Sequence, residues 1–168
     1  MTAGNDYFQK NNLFKNISEK AIYPMRMYTS GICRRGKEYL LLRISKNYDI
    51  CPWDWEWLTC SLKLDQKKSI YPQLISNVMQ SLRHYTNLQG KVIKIFSPHI
   101  WNDGEFRLTY LLFPILIEVD NSPIELSGKF ADYRWLPIDK IRDYDRNNYL
   151  YDFLIHLYRE DGEKYAFR

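Results

Sequence analysis

Apolar residues recur at helical spacing in the middle of the chain. Leu74, Ile75, Val78, Leu82 and Tyr85 share one face, which predicts a helix over residues 72–86 packed on a core. Ahead of it, β-rich runs at 27–33 and 38–45 flank Arg34, Arg35 and Gly36, predicting two strands joined by a short basic turn. Tyr39 to Ile44 is apolar on both faces apart from Arg43, the pattern of a central strand covered on both sides. Trp53, Trp55 and Trp57 alternate, which is strand periodicity and puts the three rings on one side of any strand they share. Beyond the helix, Asn87 to Gly90 is a stop signal and 91–96 reads as a strand. Residues 97–104 are expected as a loop, and 105–119 as an extended segment in which Pro114 marks a bulge or an edge. A second loop over 120–128 precedes Trp135 to Asp139, which leads into a short helix. A final helix over 147–159 presents Leu150, Leu154, Leu157 and Tyr158 to the domain.

The first 24 residues are polar, with four asparagines around a few apolar positions and Pro24 as a terminator. They read as an arm, either loosely held or binding a partner. The whole chain of 168 residues, 45% hydrophobic, suffices for one domain with a full core and is short for two. Its net charge of +4 permits anionic partners without demanding them, so nucleic acid is only weakly supported. Cys33, Cys51 and Cys60 are at spacings that match no common zinc pattern and read as reduced thiols. No apolar run reaches membrane-spanning length and no secretory leader is recognisable, so a cytoplasmic protein is expected.

Between Gln66 and Asn102 there is no Asp or Glu, although Lys67, Lys68, Arg83, Lys91 and Lys94 are there. A helix that holds a divalent metal needs oxygen ligands one turn apart; Ser81, Arg83 and His84 stand at the outward positions here. Arg43 is either paired with a carboxylate or directed at an anion. The tryptophan row is either a core cluster or a platform for a flat ligand.

The order of elements and several local words resemble the Nudix hydrolase family over residues 26–145. Leu40-Leu41-Leu42-Arg43 followed by Trp55-Glu56-Trp57-Leu58-Thr59-Cys60 is similar to the strand pair and the Trp-Glu-aromatic-Pro-Gly-Gly segment that open the Nudix box. Trp135-Leu136-Pro137-Ile138-Asp139 is similar to the word that hands the sheet to a closing helix. The resemblance implies a single α/β/α sandwich with a mixed sheet, spanning 25–168 with the C-terminal helix included and preceded by the arm at 1–24.

The box itself departs from the family pattern. Gln66, Ser81, His84 and Tyr85 fall where the family has metal-binding glutamates, and such residues are poor Mg²⁺ ligands. The expectation is therefore a non-catalytic, nucleotide-binding Nudix-like domain, a pseudoenzyme with no catalytic residues, no metal and no cofactor. Arg26, Arg43, Trp55, Trp57, Arg83, His84 and Asp132 are its candidate ligand-binding residues, Asp132 matching a place where some family members carry an extra acid. Two alternatives stand beside it. One is a protein-interaction or homodimer module; the other is a hydrolase with relocated acids drawn from Asp54, Glu56, Glu118 and Asp132.

Overall fold

A computed structural model describes residues 20, 22–46, 55–145 and 149–160. Most of the arm, together with Cys51, Trp53 and Asp54, lies outside the described residues. The described chain runs β1 (Met25–Arg35), β2 (Glu38–Ile44), β3 (Trp55–Glu56), β4 (Leu58–Ser61), helix α1 (Ile70–Thr86), β5 (Gly90–Ile95), β6 (His99–Asp103), β7 (Leu108–Val119), β8 (Phe130–Pro137), a 3-10 helix (Ile138–Asp143) and α2 (Tyr149–Glu160).

The long strand β1 is the spine. It pairs in parallel with β7 from Met25↔Thr109 to Arg34↔Glu118, and antiparallel with β4 and, at the hairpin, with β2. The remaining pairs, β2 with β3 and β8, and β7 with β5 and β6, are antiparallel. The mixed sheet expected from the sequence is therefore present, with a helix on each face. On one face Leu74, Val78 and Leu82 of α1 pack with Leu40, Leu42, Leu58, Leu111 and Phe113. On the other, Leu150, Leu154 and Leu157 of α2 pack with Ile32, Leu41, Trp57 and Leu116. Neighbouring residues of β2 thus serve opposite cores, which is why that strand is apolar throughout.

Three local expectations change. Residues 99–103 are a strand, not a loop. They form a hairpin with β7 in which Asp103 Oδ1 accepts the backbone N–H groups of Glu105 and Phe106 at 3.0 Å, and a polar strand is tolerated because it lies at an edge. Pro114 is buried inside β7, paired with Ser30, at the point where the neighbour on the other side changes from β6 to β5. A strand needs one fewer donor at such a changeover, and the irregularity falls in β5, between Val92 and Lys94. The face of α1 that packs is Ile70, Leu74, Val78, Leu82 and Thr86, while Ile75 stays exposed.

Helix α1 ends in a left-handed Asn87, at φ 58°. Its last carbonyls are taken by the loop that leads to β8: Glu125 N–H donates to Thr86 O at 3.2 Å, Ser127 N–H to Tyr85 O at 3.1 Å, and the Ser127 hydroxyl to His84 O. This fixes the loop on the helix and satisfies carbonyls that would otherwise lack donors. The approach of α1 to the sheet depends on Gly31, where an added Cβ would lie 2.9 Å from Val78 Cγ2 and 3.3 Å from Leu58 Cδ2. Gly31→Ala should therefore destabilise the fold by about 1–3 kcal/mol through overpacking, read as a lower urea midpoint at unchanged slope.

Candidate functional site

On the α1 face of the sheet, β3 and the start of β8 bring together two residues 73 positions apart. Lys129 Nζ donates to Glu56 Oε1 at 2.9 Å and to the Thr59 carbonyl at 2.6 Å. Both side chains are about three-quarters buried, with exposures of 21% and 24%. The ammonium also lies 4.8 Å from the centre of the Phe130 ring and 6.0 Å from that of Tyr85, within cation–π range. Burial pushes the Glu56 carboxyl above its ordinary value, against the opposing attraction and hydrogen bond of Lys129. Burial likewise raises the neighbouring Cys60 thiol, against a hydrogen bond with Ser81 of α1 and the charge of Lys129.

The loop geometry that holds Lys129 is specific. Gly128 adopts φ +65°, and a Cβ there would meet the Tyr85 ring at 2.8 Å. Main-chain bonds flank it, Ser127 N–H to Tyr85 O and Ser45 N–H to Lys129 O at 2.6 Å. Lys129 is thus a charge placed by the backbone on both sides of it.

The sequence-derived candidates divide into groups. Arg43, Trp55 and Asp132 meet on one rung of the sheet, since Arg43 pairs with Trp55 on one side and Asp132 on the other. Arg43 Nη2 is 3.8 Å from Asp132 Oδ2, Arg134 Nη1 is 3.0 Å from Asp132 Oδ1, and both guanidiniums lie 5.7 Å from the Trp55 ring centre. Of the two readings of Arg43, the carboxylate partner is the one formed. Trp57 is 2% exposed in the core beside α2 and in edge contact with Tyr39, so it is a packing residue and not a ligand contact. Arg83 and His84 line an open groove of about 420 Å³ on the outer side of α1, with Ser76, Met79 and Gln80. Arg26 is exposed near the start of β1. Of the alternative acids, Glu118 pairs with Arg34 at 2.9 Å, Asp132 with Arg134 at 3.0 Å and Glu56 with Lys129 at 2.9 Å, while Asp54 lies outside the described residues. Lys129 has no sequence signal of its own; a glycine-lysine pair closing a polar loop is common.

The Mg²⁺ that the family resemblance implies does not fit these donors. Such an ion demands near-octahedral oxygen ligation, usually through carboxylates. Among the described residues, Glu56 and the Thr59 carbonyl both accept from the Lys129 ammonium, and α1 contributes Ser81, His84 and Tyr85. Among the described residues no three His, Cys, Asp or Glu side chains cluster.

Comparison with known proteins finds no family model that matches and no curated protein that matches by sequence. Solved structures do match. A NUDIX hydrolase from Nitrosomonas europaea superposes with a TM-score of 0.60 at 17% identity, over 82% of this chain and 90% of that one. An Ap4A hydrolase from C. elegans gives 0.58 at 12%, over 82% and 98%. The NUDIX domain of Shewanella oneidensis NrtR, complexed with ADP ribose, gives 0.62 at 14%, over 91% and 98%. The chain has the Nudix fold, an α/β/α sandwich around an open mixed sheet. Among the described residues no helix is long and apolar enough to cross a membrane.

These likenesses overturn the expectation of a non-catalytic binding domain. That expectation equated the missing helix glutamates with a missing reaction, whereas proteins sharing this framework are hydrolases by name.

Removing the cation of the Glu56–Lys129 pair leaves a mostly buried carboxylate without its partner. Lys129→Met should cost about 1–3 kcal/mol in urea unfolding, and adding Glu56→Gln should recover part of that loss.

Proposed function

We propose that the chain is a hydrolase of the diphosphate linkage in a nucleotide-derived substrate, with Glu56 as its general base. The observation that carries this reading is the Glu56–Lys129 pair, a carboxyl raised by burial and set against a fixed ammonium beside α1. A carboxyl raised by burial is, when ionised, a stronger base than an ordinary one. The substrate class is supported by the names of the proteins that share the fold, among them an Ap4A hydrolase and a domain holding ADP ribose.

In this reading the Nudix box is degenerate, with Gln66 ahead of α1 and Ser81, His84 and Tyr85 on it at the places of the glutamates, and the acid is supplied by β3. Water attacks a phosphorus of the diphosphate and passes a proton to Glu56. The new P–O bond forms as the bridging P–O bond breaks, and the departing phosphate oxygen keeps the electron pair. An ammonium has three donors. Lys129 directs two at Glu56 and the Thr59 carbonyl, and the third is available to the charge that grows on the phosphate oxygens.

Purified protein incubated with ADP-ribose and with Ap4A should release nucleoside monophosphate or its phosphorylated counterpart. Glu56→Gln should lower kcat by about 10²–10⁴-fold with little change in KM. Because only the ionised carboxylate accepts the proton and burial raises its pKa, kcat/KM should climb with pH along an acid limb displaced upward from that of an ordinary glutamate. That acid limb should vanish in Glu56→Gln. Absence of turnover on both substrates, or full activity of Glu56→Gln, refutes the reading.

A further inference from the structure

The cation at this site is covalently part of the chain. We infer that the Lys129 ammonium takes the place of a divalent ion, so that the site binds the diphosphate of its substrate without a metal. The inference deepens the hydrolase reading above, since it concerns how the same site meets its substrate.

Four observations carry it. First, Glu56 Oε1 and the Thr59 carbonyl are both within hydrogen-bond distance of Lys129 Nζ, so the ammonium already stands against the oxygens a cation would meet there. A divalent ion entering there would have to displace the ammonium or sit against it as a like charge. Second, α1 brings no acid toward the pair: from Ile70 to Thr86 it contains neither Asp nor Glu. Among the described residues, α1 presents no carboxylate to a diphosphate approaching from that side, and Glu56 is already compensated by Lys129. Third, the charge is held in advance. Gly128 at φ +65° lies so close to Tyr85 that any side chain would collide, and the loop on either side is tied to α1 and to Ser45 by main-chain bonds. Little ordering remains to be done on binding, and a preorganised donor stabilises an anion most. Fourth, the Phe130 and Tyr85 rings lie 4.8 and 6.0 Å from the ammonium, where their faces favour a fixed positive charge.

A lysine and a metal differ in a way that can be measured. The affinity of a metal-bridged diphosphate collapses when the ion is chelated, and that of an ammonium-bound diphosphate does not. Titration calorimetry of the full chain with ADP-ribose, in excess EDTA and in MgCl₂, should give the same Kd within about threefold. Lys129→Met should weaken binding in EDTA by about tenfold or more, as expected for losing a charge-assisted hydrogen bond, and Lys129→Arg should keep much of it. Circular dichroism shows whether each variant is folded, and the wild-type comparison needs no variant. A tenfold or greater loss of affinity in EDTA overturns the inference, as does unaltered binding by folded Lys129→Met, which would make the Glu56–Lys129 pair structural only. Metal-dependent turnover would remove this inference and leave the hydrolase reading standing; metal-free binding without turnover would do the reverse. No binding of ADP-ribose, Ap4A or inorganic pyrophosphate in either buffer removes both.

Discussion

The parallel register of β1 against β7 is the constraint on which the other placements rest. It runs without a break from Met25↔Thr109 to Arg34↔Glu118, and a shift by one residue would turn every side chain of β1 to the wrong face. Gly31 would no longer lie beneath Val78, and α1 could not come as close. Through β1, β4 is set against α1, and through the hairpin β2 is set to carry both β3 and β8. Glu56 and Lys129 meet because these two short elements flank the same central strand.

The helix and the sheet depend on each other at a second point. A helix that ends inside a domain must find donors for its last carbonyls. Here the donors come from the loop over Glu125 and Ser127, and not from a water-exposed end. The same contacts that complete α1 therefore place Lys129, so that a stability requirement of the helix and the position of a charge are met by one piece of chain.

The periodicity of α1, the doubly apolar β2 and the amphipathic α2 were legible in the sequence because each is a local pattern with one burial solution. For Trp57 the sequence left core and platform both open, since alternation gives the side of a strand and not what covers it, and the structure has it in the core. The edge strand β6 was hidden by its polar composition, and Pro114 by the rule that proline avoids interior strands; both depend on which neighbour lies alongside. The Arg43–Asp132 contact is an ordinary rung partner that single-sequence reading can only guess. Lys129 was illegible for a physical reason: its position comes from carbonyls of α1 and a left-handed Gly128, neither of which changes the composition around it.

The two oxygens that hold Lys129 differ in kind. One belongs to a side chain that mutation can remove, whereas the Thr59 carbonyl belongs to the main chain and survives any replacement at that position that keeps β4 in register. Sequence drift at residue 59 is therefore silent at the charge, while drift at 56 or 129 is felt at once by the other. Among related chains, those two positions should change together or not at all, and residue 59 should wander freely.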